Sequence, residues 1–582
     1  MDAPAPPPGS FATAYERAAR RLEHIRFADQ LWNRSLSVWA GGPEVGARIA
    51  NRLGWLSALD FLTPHVARLG AFAESVRAAG FTDVVLLGMG GSSLAPEVLR
   101  QVIGTKPGHP RFRVLDSVDP DAVRAAMEAS GTSLFVLASK SGTTIEPNVM
   151  AAEARRRVLA DGHHEWGSRF AAITDESTEL HRRAVQERFR DVFVNPSDIG
   201  GRYSALSFFG MVPAALMGID LGPLLAQARG MARACREPGV AANPGVALGA
   251  LMAAGVDSGR DKLTILLPDR LLSFGLWVEQ LVAESTGKAG TGVVPIVGES
   301  PGVPWGDDRV AVEMRVGRAD GDTSRLEHLR AAGVPVAGLH LQDVSAIGAE
   351  FLRWEVATAA AGALLAINPF DEPNVQQAKQ ATRALLDVHA LEQRLPAPEP
   401  LSTADGTIWS ASRAARRLLG DAGLDAFADL LQPGDYFCLL AYLPPEDATL
   451  ARPLADLRTA VAAASGCATM FGYGPRYLHS TGQLHKGGAN TGVFLVLTAE
   501  PASDLSVPGE PFTFGVLERA QALGDFQSLG DTNRRALYVH LPRREPGLIQ
   551  AVGARLLAGR RTVPAASLRG GGPAGPPGVR PA

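Results

Sequence analysis

The chain has 582 residues, of which 46% are hydrophobic and 20% are charged, and its formal net charge is −3. At roughly 150 residues per domain, this length predicts three or four structural units. The small net charge gives no reason to expect nucleic acid or a membrane surface as a partner, and no uninterrupted apolar run approaches the ~20 residues of a membrane-spanning helix.

Cysteine usage and the N-terminal composition both indicate a cytoplasmic protein. The three cysteines, Cys235, Cys438 and Cys467, are too few and too scattered for a disulfide framework or a zinc site. The first residues, Met-Asp-Ala-Pro-Ala-Pro-Pro-Pro, lack the basic and apolar parts of a signal peptide. We therefore predict a protein of the reducing cytoplasm.

The two ends of the chain differ in composition from the rest. Residues 1–9 and 561–582 are rich in proline and glycine, which predicts disorder. Residues 10–80 carry apolar side chains at helical spacing, so we expect an N-terminal helical segment. Its large apolar residues, Leu22 and Trp39 among them, are expected to pack on the first sheet.

Two α/β units are predicted at 81–204 and 205–394. Short apolar runs alternate with helical patterns, which is typical of a doubly wound parallel sheet with helices on both faces. The second unit begins with an alanine-rich helical stretch and contains long helices near 345–366 and 373–388. The predicted strands lie near 83–88, 112–116, 133–138, 171–174, 191–194, 263–268, 309–316 and 335–341.

A third α/β unit is predicted at 395–560. The proline-rich segment Leu395-Pro-Ala-Pro-Glu-Pro marks its boundary. Strands are expected near 436–443, 467–472 and 493–498, with a helix near 453–464.

Two glycine-, serine- and threonine-rich loops follow neighbouring predicted strands of the first unit. One is Gly88-Met-Gly-Gly-Ser-Ser, and the other is Ser139-Lys-Ser-Gly-Thr-Thr-Ile-Glu. Such loops lie at the carboxyl edge of a parallel sheet, where helix N-termini suit a phosphate. The first loop is not the dinucleotide fingerprint, because Ser93 replaces the third glycine. Glycine in a tight strand–helix turn can also serve a purely steric purpose.

Two further motifs could carry acid–base chemistry. Ile199-Gly-Gly-Arg-Tyr-Ser places Arg202 after two glycines, where a guanidinium could face a developing oxyanion; the alternative is a loop arginine paired with a surface carboxylate. Glu284 lies near the end of a predicted apolar helix, and partial burial would raise its pKa towards that of a general base. The alternative for Glu284 is a pair with Lys288.

A lysine and a histidine complete the candidate residues. Lys379 lies early in the helix near 373–388, where most lysines are simply solvated. His479 lies in the polar loop Arg476-Tyr-Leu-His-Ser-Thr-Gly-Gln-Leu-His-Lys-Gly-Gly. This composition is more typical of the edge of a ligand-binding site than of a hydrophobic core. His479 and His485 alone are weak evidence for a metal.

Taken together, these motifs resemble those of the glucose-6-phosphate isomerase (phosphoglucose isomerase) family. The resemblance covers roughly residues 60–390 and rests on five motifs in order: the two loops, the Arg202 motif, Glu284-Ser-Thr-Gly-Lys and Phe370-Asp-Glu-Pro-Asn-Val-Gln-Gln-Ala-Lys. The chain is most similar overall to the isomerase half of bifunctional transaldolase/glucose-6-phosphate isomerase proteins.

The resemblance implies a fold of two sugar-isomerase (SIS-type) α/β domains, to which this chain adds a C-terminal α/β unit. It also implies that the protein is an aldose–ketose isomerase of glycolysis and gluconeogenesis, which interconverts glucose 6-phosphate and fructose 6-phosphate. It implies that Glu284 moves a proton between C2 and C1, that Arg202 stabilises the cis-enediolate, and that Lys379 and His479 assist ring opening. No metal or cofactor is expected. The residues implied to hold the hexose 6-phosphate are Gly91, Ser92, Ser139, Lys140, Ser141, Thr143 and Thr144.

The chain departs from the family pattern in two places. Glu372 stands where the family usually carries glutamine, and the His479-Ser-Thr-Gly-Gln segment comes after Glu284 and Lys379 instead of between them. We expect a relocated histidine, since His328 and His340 lie in no such context.

Several alternatives stay open at this point. The resemblance makes a homodimer and a functional link to transaldolase reasonable expectations. One alternative is an isomerase that also acts on mannose 6-phosphate. Another is a protein that binds a sugar phosphate without turnover.

Overall fold

The computed structural model describes residues 11–39, 41–317 and 324–558. The disorder predicted at 1–9 and 561–582 lies outside these ranges. Within them, no helix is both long and apolar enough to cross a bilayer. The N-terminal segment is helical as predicted, with α1 (Phe11–His24), α2 (Phe27–Trp32), α3 (Pro43–Ala50), α4 (Ala58–Leu62) and α5 (Val66–Ala78).

The first unit is a five-stranded, fully parallel sheet in the order β2-β1-β3-β4-β5. All residues of strands β1 and β3 are buried, because helices cover both faces. Every predicted strand is present within a residue or two. The strands are β1 (Asp83–Leu87), β2 (Arg111–Leu115), β3 (Ser133–Ala138), β4 (Phe170–Asp175) and β5 (Asp191–Asn195), and the helices are α6 (Leu94–Val102), α7 (Pro120–Ala126), α8 (Ile145–Ala160) and α9 (Glu179–Gln186).

The second unit has a smaller parallel sheet in the order β7-β6-β8-β9. Its edge strand β7 was not predicted, because it has only four residues and contains Pro295. The strands are β6 (Lys262–Leu266), β7 (Val294–Val297), β8 (Arg309–Val316) and β9 (Val336–Leu341). The helices are α10 (Phe208–Leu216), α11 (Leu221–Ala234), α12 (Pro244–Asp257), α13 (Leu272–Thr286), α14 (Ser324–Ala331), α15 (Ile347–Leu364) and α16 (Val375–Glu392).

The N-terminal helices pack mainly on this second unit. Helix α1 contacts α12 and α15. The indole Nε1 of Trp32 donates to Cys235 O, and that of Trp39 donates to Ala359 O, both at 2.9 Å. The expectation that this segment packs on the first sheet is therefore wrong for its first half.

The third unit is a six-stranded sheet in the order β10-β11-β15-β14-β12-β13. Strands β15, β14, β12 and β13 are parallel, and the antiparallel hairpin β10–β11 extends the sheet beyond β15. The strands are β10 (Pro400–Ala404), β11 (Thr407–Ala411), β12 (Tyr436–Tyr442), β13 (Ala468–Tyr473), β14 (Gly492–Ala499) and β15 (Arg535–Leu541). The helices are α17 (Arg413–Leu419), α18 (Ala448–Ser465), α19 (Gly482–Gly487), α20 (Phe514–Asp531) and α21 (Pro546–Leu557).

Two arginines of the third unit, the partly exposed Arg476 and the buried Arg458, bind the other two units. Arg476 makes a bidentate pair with Asp116 of the first unit, both bonds 2.7 Å long. Arg458 donates to Val297 O at 2.7 Å and to Gly298 O at 3.0 Å, at the end of β7. These contacts place the segment that follows β13 against the carboxyl edge of the first sheet.

Candidate active site

The loops after β1 and β3 lie side by side, because these strands pair directly. Helix α8 begins after Thr144, whose side chain makes no capping hydrogen bond. The first-turn N–H groups of a 16-residue helix therefore face a loop rich in hydroxyl groups. Ser141 Oγ and Thr143 Oγ1 are 3.0 Å apart, and Ser139 Oγ accepts from Gly142 N at 3.1 Å.

Lys140 is engaged within the protein. Its Nζ pairs with Asp175 at the end of β4 and donates to Ser197 O at 2.7 Å. Burial raises the pKa of Asp175, while Lys140 acts in the opposite direction. A phosphate held by Lys140 would therefore compete with a carboxylate that is already present.

The glycines of the first loop allow close packing around the site. A Cβ on Gly91 would lie 2.0 Å from Gly201 O, and one on Gly90 would lie 2.5 Å from His479 O. Gly90 also has φ +54°, which favours glycine. The loop that contains Gly91 and Ser92 is thereby held between the Arg202 segment and the His479 segment.

Arg202 is buried, and each of its three side-chain nitrogens has a protein partner. Two carboxylates share its Nη1, Glu284 Oε1 at 3.2 Å and Glu372 Oε2 at 3.0 Å. Burial alone would lower the pKa of Arg202, but these carboxylates raise it above its ordinary value. The remaining partners are Ser285 Oγ at 2.8 Å from Nε, and Pro369 O and Asp371 O, each at 2.9 Å from Nη2. The alternative, a loop arginine paired with a surface carboxylate, fits the contact with the half-exposed Glu372 but not the burial of Arg202 or its ion pair with Glu284.

Glu284 lies in the last turn of α13, with its side chain 11% exposed. Its Oε2 accepts a hydrogen bond from Gln280 Nε2 at 3.1 Å. Burial raises the pKa of Glu284, partly offset by Arg202. The alternative pair with Lys288 is wrong, because Lys288 Nζ binds Asp371 Oδ1 at 2.8 Å.

The third unit delivers His479 to this region from the same chain. His479 Nε2 donates to Glu146 Oε1 at 2.8 Å, and Gln521 Nε2 donates to the same oxygen at 2.6 Å. His479 O accepts from Gln280 Nε2 at 2.7 Å, so the histidine segment contacts the helix that carries Glu284. Burial opposes ionisation of Glu146, but His479 and then Lys379 hold its pKa below the ordinary value.

Sequence reasoning assigned no role to Glu146 or Gln280. Gln280 lies four residues before Glu284, a spacing that places both on one helix face and could have revealed it. Glu146 ends the motif quoted for the phosphate loop, but its partner His479 is 333 residues away. His340, an alternative histidine, is exposed and contacts Gly317 O at 2.9 Å.

A cleft of about 860 Å³ runs along the phosphate-type loop and reaches His479 and Lys379. Lys379 is exposed on α16. Arg202, Glu284 and Gln280 are not among the residues that line it. Gln280 relates Glu284 to the cleft only indirectly, by donating both to Glu284 Oε2 and to the main-chain oxygen of His479. The residues that line it include Thr143, Thr144, Glu146, Lys379, His479 and Gln521.

His485 is a core residue. It is 1% exposed, and its Nε2 lies 3.7 Å from Cys438 Sγ. Burial keeps its pKa well below the ordinary value. In the part of the chain that the structure describes, no three His, Cys, Asp or Glu side chains are arranged to hold a metal ion.

The fold and site define a doubly wound α/β protein whose candidate ligand cleft lies at the carboxyl edge of its first sheet. A hypothetical protein from Thermus thermophilus shares this fold, with a TM-score of 0.56 and 24% identity, covering 66% of this chain and 99% of that chain. The predicted α/β architecture is confirmed.

The comparisons also identify the family. The family model described as phosphoglucose isomerase matches residues 57–308. Glucose-6-phosphate isomerase from Rubrobacter xylanophilus is 31% identical over 369 residues, which cover 54% of this chain and 84% of that protein. The chain belongs to the phosphoglucose isomerase family, as the motifs indicated.

Other relatives match over a smaller part of their length. Glucose-6-phosphate isomerase from Prochlorococcus marinus is 36% identical over 214 residues, 36% of this chain and 39% of that protein. The corresponding protein of a Geobacter species is 34% identical, with 45% of its length covered. The chain thus spans less than half the length of these curated relatives, and the family model ends before Lys379 and His479.

Proposed function

We propose that this protein interconverts glucose 6-phosphate and fructose 6-phosphate through a cis-enediolate. The observation that carries the proposal is the buried pair of Glu284 and Arg202, 3.2 Å apart, in a chain of the phosphoglucose isomerase family. A carboxylate with a raised pKa can take the proton from C2 and return it to C1. A guanidinium beside it can stabilise the negative charge that develops on the enediolate.

The phosphate is assigned to the loop at the start of α8. Ser139, Lys140, Ser141, Thr143 and Thr144 would bind it through hydroxyl groups, one ammonium group and the amides of the first helical turn. Gly91 and Ser92, on the adjacent loop, would line the sugar. Fixing the phosphate at this end positions the reacting carbons relative to Glu284.

Ring opening is assigned to His479 and Lys379. Both line the cleft, and the hydrogen bond from His479 to Glu146 fixes the orientation of the imidazole ring. These two side chains would exchange protons with the ring oxygen and the C1 hydroxyl. The proposed chemistry assigns no step to a metal or a cofactor.

The proposal extends to the setting of the enzyme. We place it in the cytoplasm, in glycolysis and gluconeogenesis, and its three cysteines are all free thiols. A homodimer and a link to transaldolase remain predictions. In the proposed site, His479 comes from the same chain as Glu284 and Arg202.

A coupled assay that follows glucose 6-phosphate formed from fructose 6-phosphate tests the proposal. Glu284→Gln should abolish turnover while leaving fructose 6-phosphate binding nearly intact. Glu279→Gln is the matched control, because Glu279 lies on the same helix, is also buried and is not assigned to the site. Absence of turnover by the unaltered protein would refute the proposal.

A further inference from the structure

Every nitrogen of the Arg202 guanidinium already has a protein partner. Its hydrogen bonds go to Ser285, Glu372 and two main-chain carbonyls, and Glu284 forms an ion pair with Nη1 at 3.2 Å. If Arg202 stabilises an enediolate, one of these partners has to leave. The structure indicates which one.

Four of the five contacts are fixed by burial or by the backbone. Ser285 is fully buried, and the Glu284 side chain is only 11% exposed. The two carbonyls belong to the turn at 368–372, which a second cation also holds. Lys288 Nζ donates to Asn368 O at 2.6 Å and to both the main chain and the side chain of Asp371.

Glu372 differs from the other partners. Its side chain is 39% exposed, and its carboxylate can turn into solvent without moving the backbone of the turn. It shares Nη1 of Arg202 with Glu284, so the position it occupies is adjacent to the proposed base. An anionic oxygen of the substrate would meet Arg202 at this position.

We propose that Glu372 is a built-in anionic competitor, which occupies Arg202 in the free protein and is displaced by the oxyanion of the bound sugar phosphate. The inference rests on the proposed function and deepens it. Glu372 keeps the buried guanidinium paired when the site is empty. This pairing lowers the affinity of the site for anionic ligands, because a ligand has to displace Glu372 before the ligand can reach Arg202.

The test compares ligand affinity in charge-neutralised variants. The probe is a five-carbon phosphosugar hydroxamate, whose planar anion mimics the enediolate, measured by calorimetry beside fructose 6-phosphate. Glu372→Gln and Glu372→Ala should each bind the hydroxamate about tenfold more tightly than the unaltered protein, since a charge-assisted hydrogen bond no longer competes. The KM for fructose 6-phosphate should fall, with a smaller change in kcat.

Two controls keep the result interpretable. Glu392→Gln removes the same charge from an exposed side chain at the far end of α16 and should change no affinity. Thermal melting confirms that the variants are folded. Unchanged or weaker hydroxamate binding by both folded Glu372 variants would overturn the inference. Tighter binding without turnover by the unaltered protein would support the competitor and refute the isomerase activity.

Discussion

At the scale of single residues, the proposed chemistry depends on the buried pair of Arg202 and Glu284. A guanidinium that contacts both the base and the reacting oxygens acts mainly in the transition state. Arg202→Ala should therefore lower kcat far more than it weakens fructose 6-phosphate binding, by roughly 10²- to 10³-fold. Steady-state kinetics and calorimetry would show the difference, and an equal loss in both would make Arg202 a simple binding residue.

That variant leaves two carboxylates without their cation, so it also needs a stability control. Losing one partner of a buried ion pair costs roughly 3–5 kcal/mol. Arg202→Lys keeps a positive charge at the position but loses the planar guanidinium, which can donate to several acceptors at once. Reduced turnover in a folded Arg202→Lys variant would separate the catalytic effect from unfolding.

The buried carboxyl group of Glu279, five residues before Glu284 on α13, should make the free energy of unfolding depend on pH. Burial, opposed by Arg458, raises its pKa to about 8. A raised carboxyl pKa means that the folded state holds the proton more tightly, so stability is lost as the pH rises from about the unfolded value of 4.5 to about 8. Glu279→Gln removes this loss of stability, which is on the order of 4 kcal/mol between pH 5 and 9.

Urea unfolding at pH 5, 7 and 9 measures this effect. The advantage of Glu279→Gln over the unaltered protein should grow with pH. A constant difference between the two proteins would show that Glu279 ionises normally in the folded state.

Local sequence predicted some of these residues but not their contacts. Glu284 and Arg202 each stand in a recognisable motif, and their side chains lie 3.2 Å apart. Glu146 was missed because its partners, His479 and Gln521, come from the third unit and are set by tertiary packing. Gln280 was missed although its spacing of four residues from Glu284 is a local signal. Lys140 was predicted as a candidate, but its ion pair with Asp175 was not, because Asp175 lies on another strand.

At the scale of elements, most of the long buried strands were predicted accurately, whereas the interior strand β15 and the short edge strands were missed. Continuous apolar runs such as β1, β3 and β14 are a strong local signal. Strand β7 and the β10–β11 hairpin are short and lie at sheet edges. The Asp405-Gly406 turn, with φ +49° and +76°, has the sequence of a tight hairpin turn and could have revealed β10 and β11.

The segment between β13 and α19 is the element that carries His479, and its contribution can be measured. His479→Ala should lower turnover of fructose 6-phosphate by roughly 10²- to 10⁴-fold, the usual range for a general acid–base residue. His340→Ala is the matched control, because that histidine is exposed on β9. Full activity of His479→Ala would remove the third unit from the proposed mechanism.

At the scale of the whole molecule, the third unit has to dock correctly for His479 to reach the first unit. Arg476, three residues before His479, pairs with Asp116, which is 4% exposed. Arg476→Met leaves Asp116 buried and unpaired, which should cost roughly 3–5 kcal/mol. The same change should lower kcat, because His479 loses the anchor that positions it.

A double variant distinguishes docking from a direct role of Arg476. Adding Asp116→Leu removes the unpaired charge, so stability should recover towards that of the unaltered protein, as expected when a buried ion pair is replaced by apolar side chains. If positioning of His479 is what matters, kcat should recover with stability. Recovered stability with kcat still as low as in Arg476→Met would assign Arg476 a direct contact with the substrate instead.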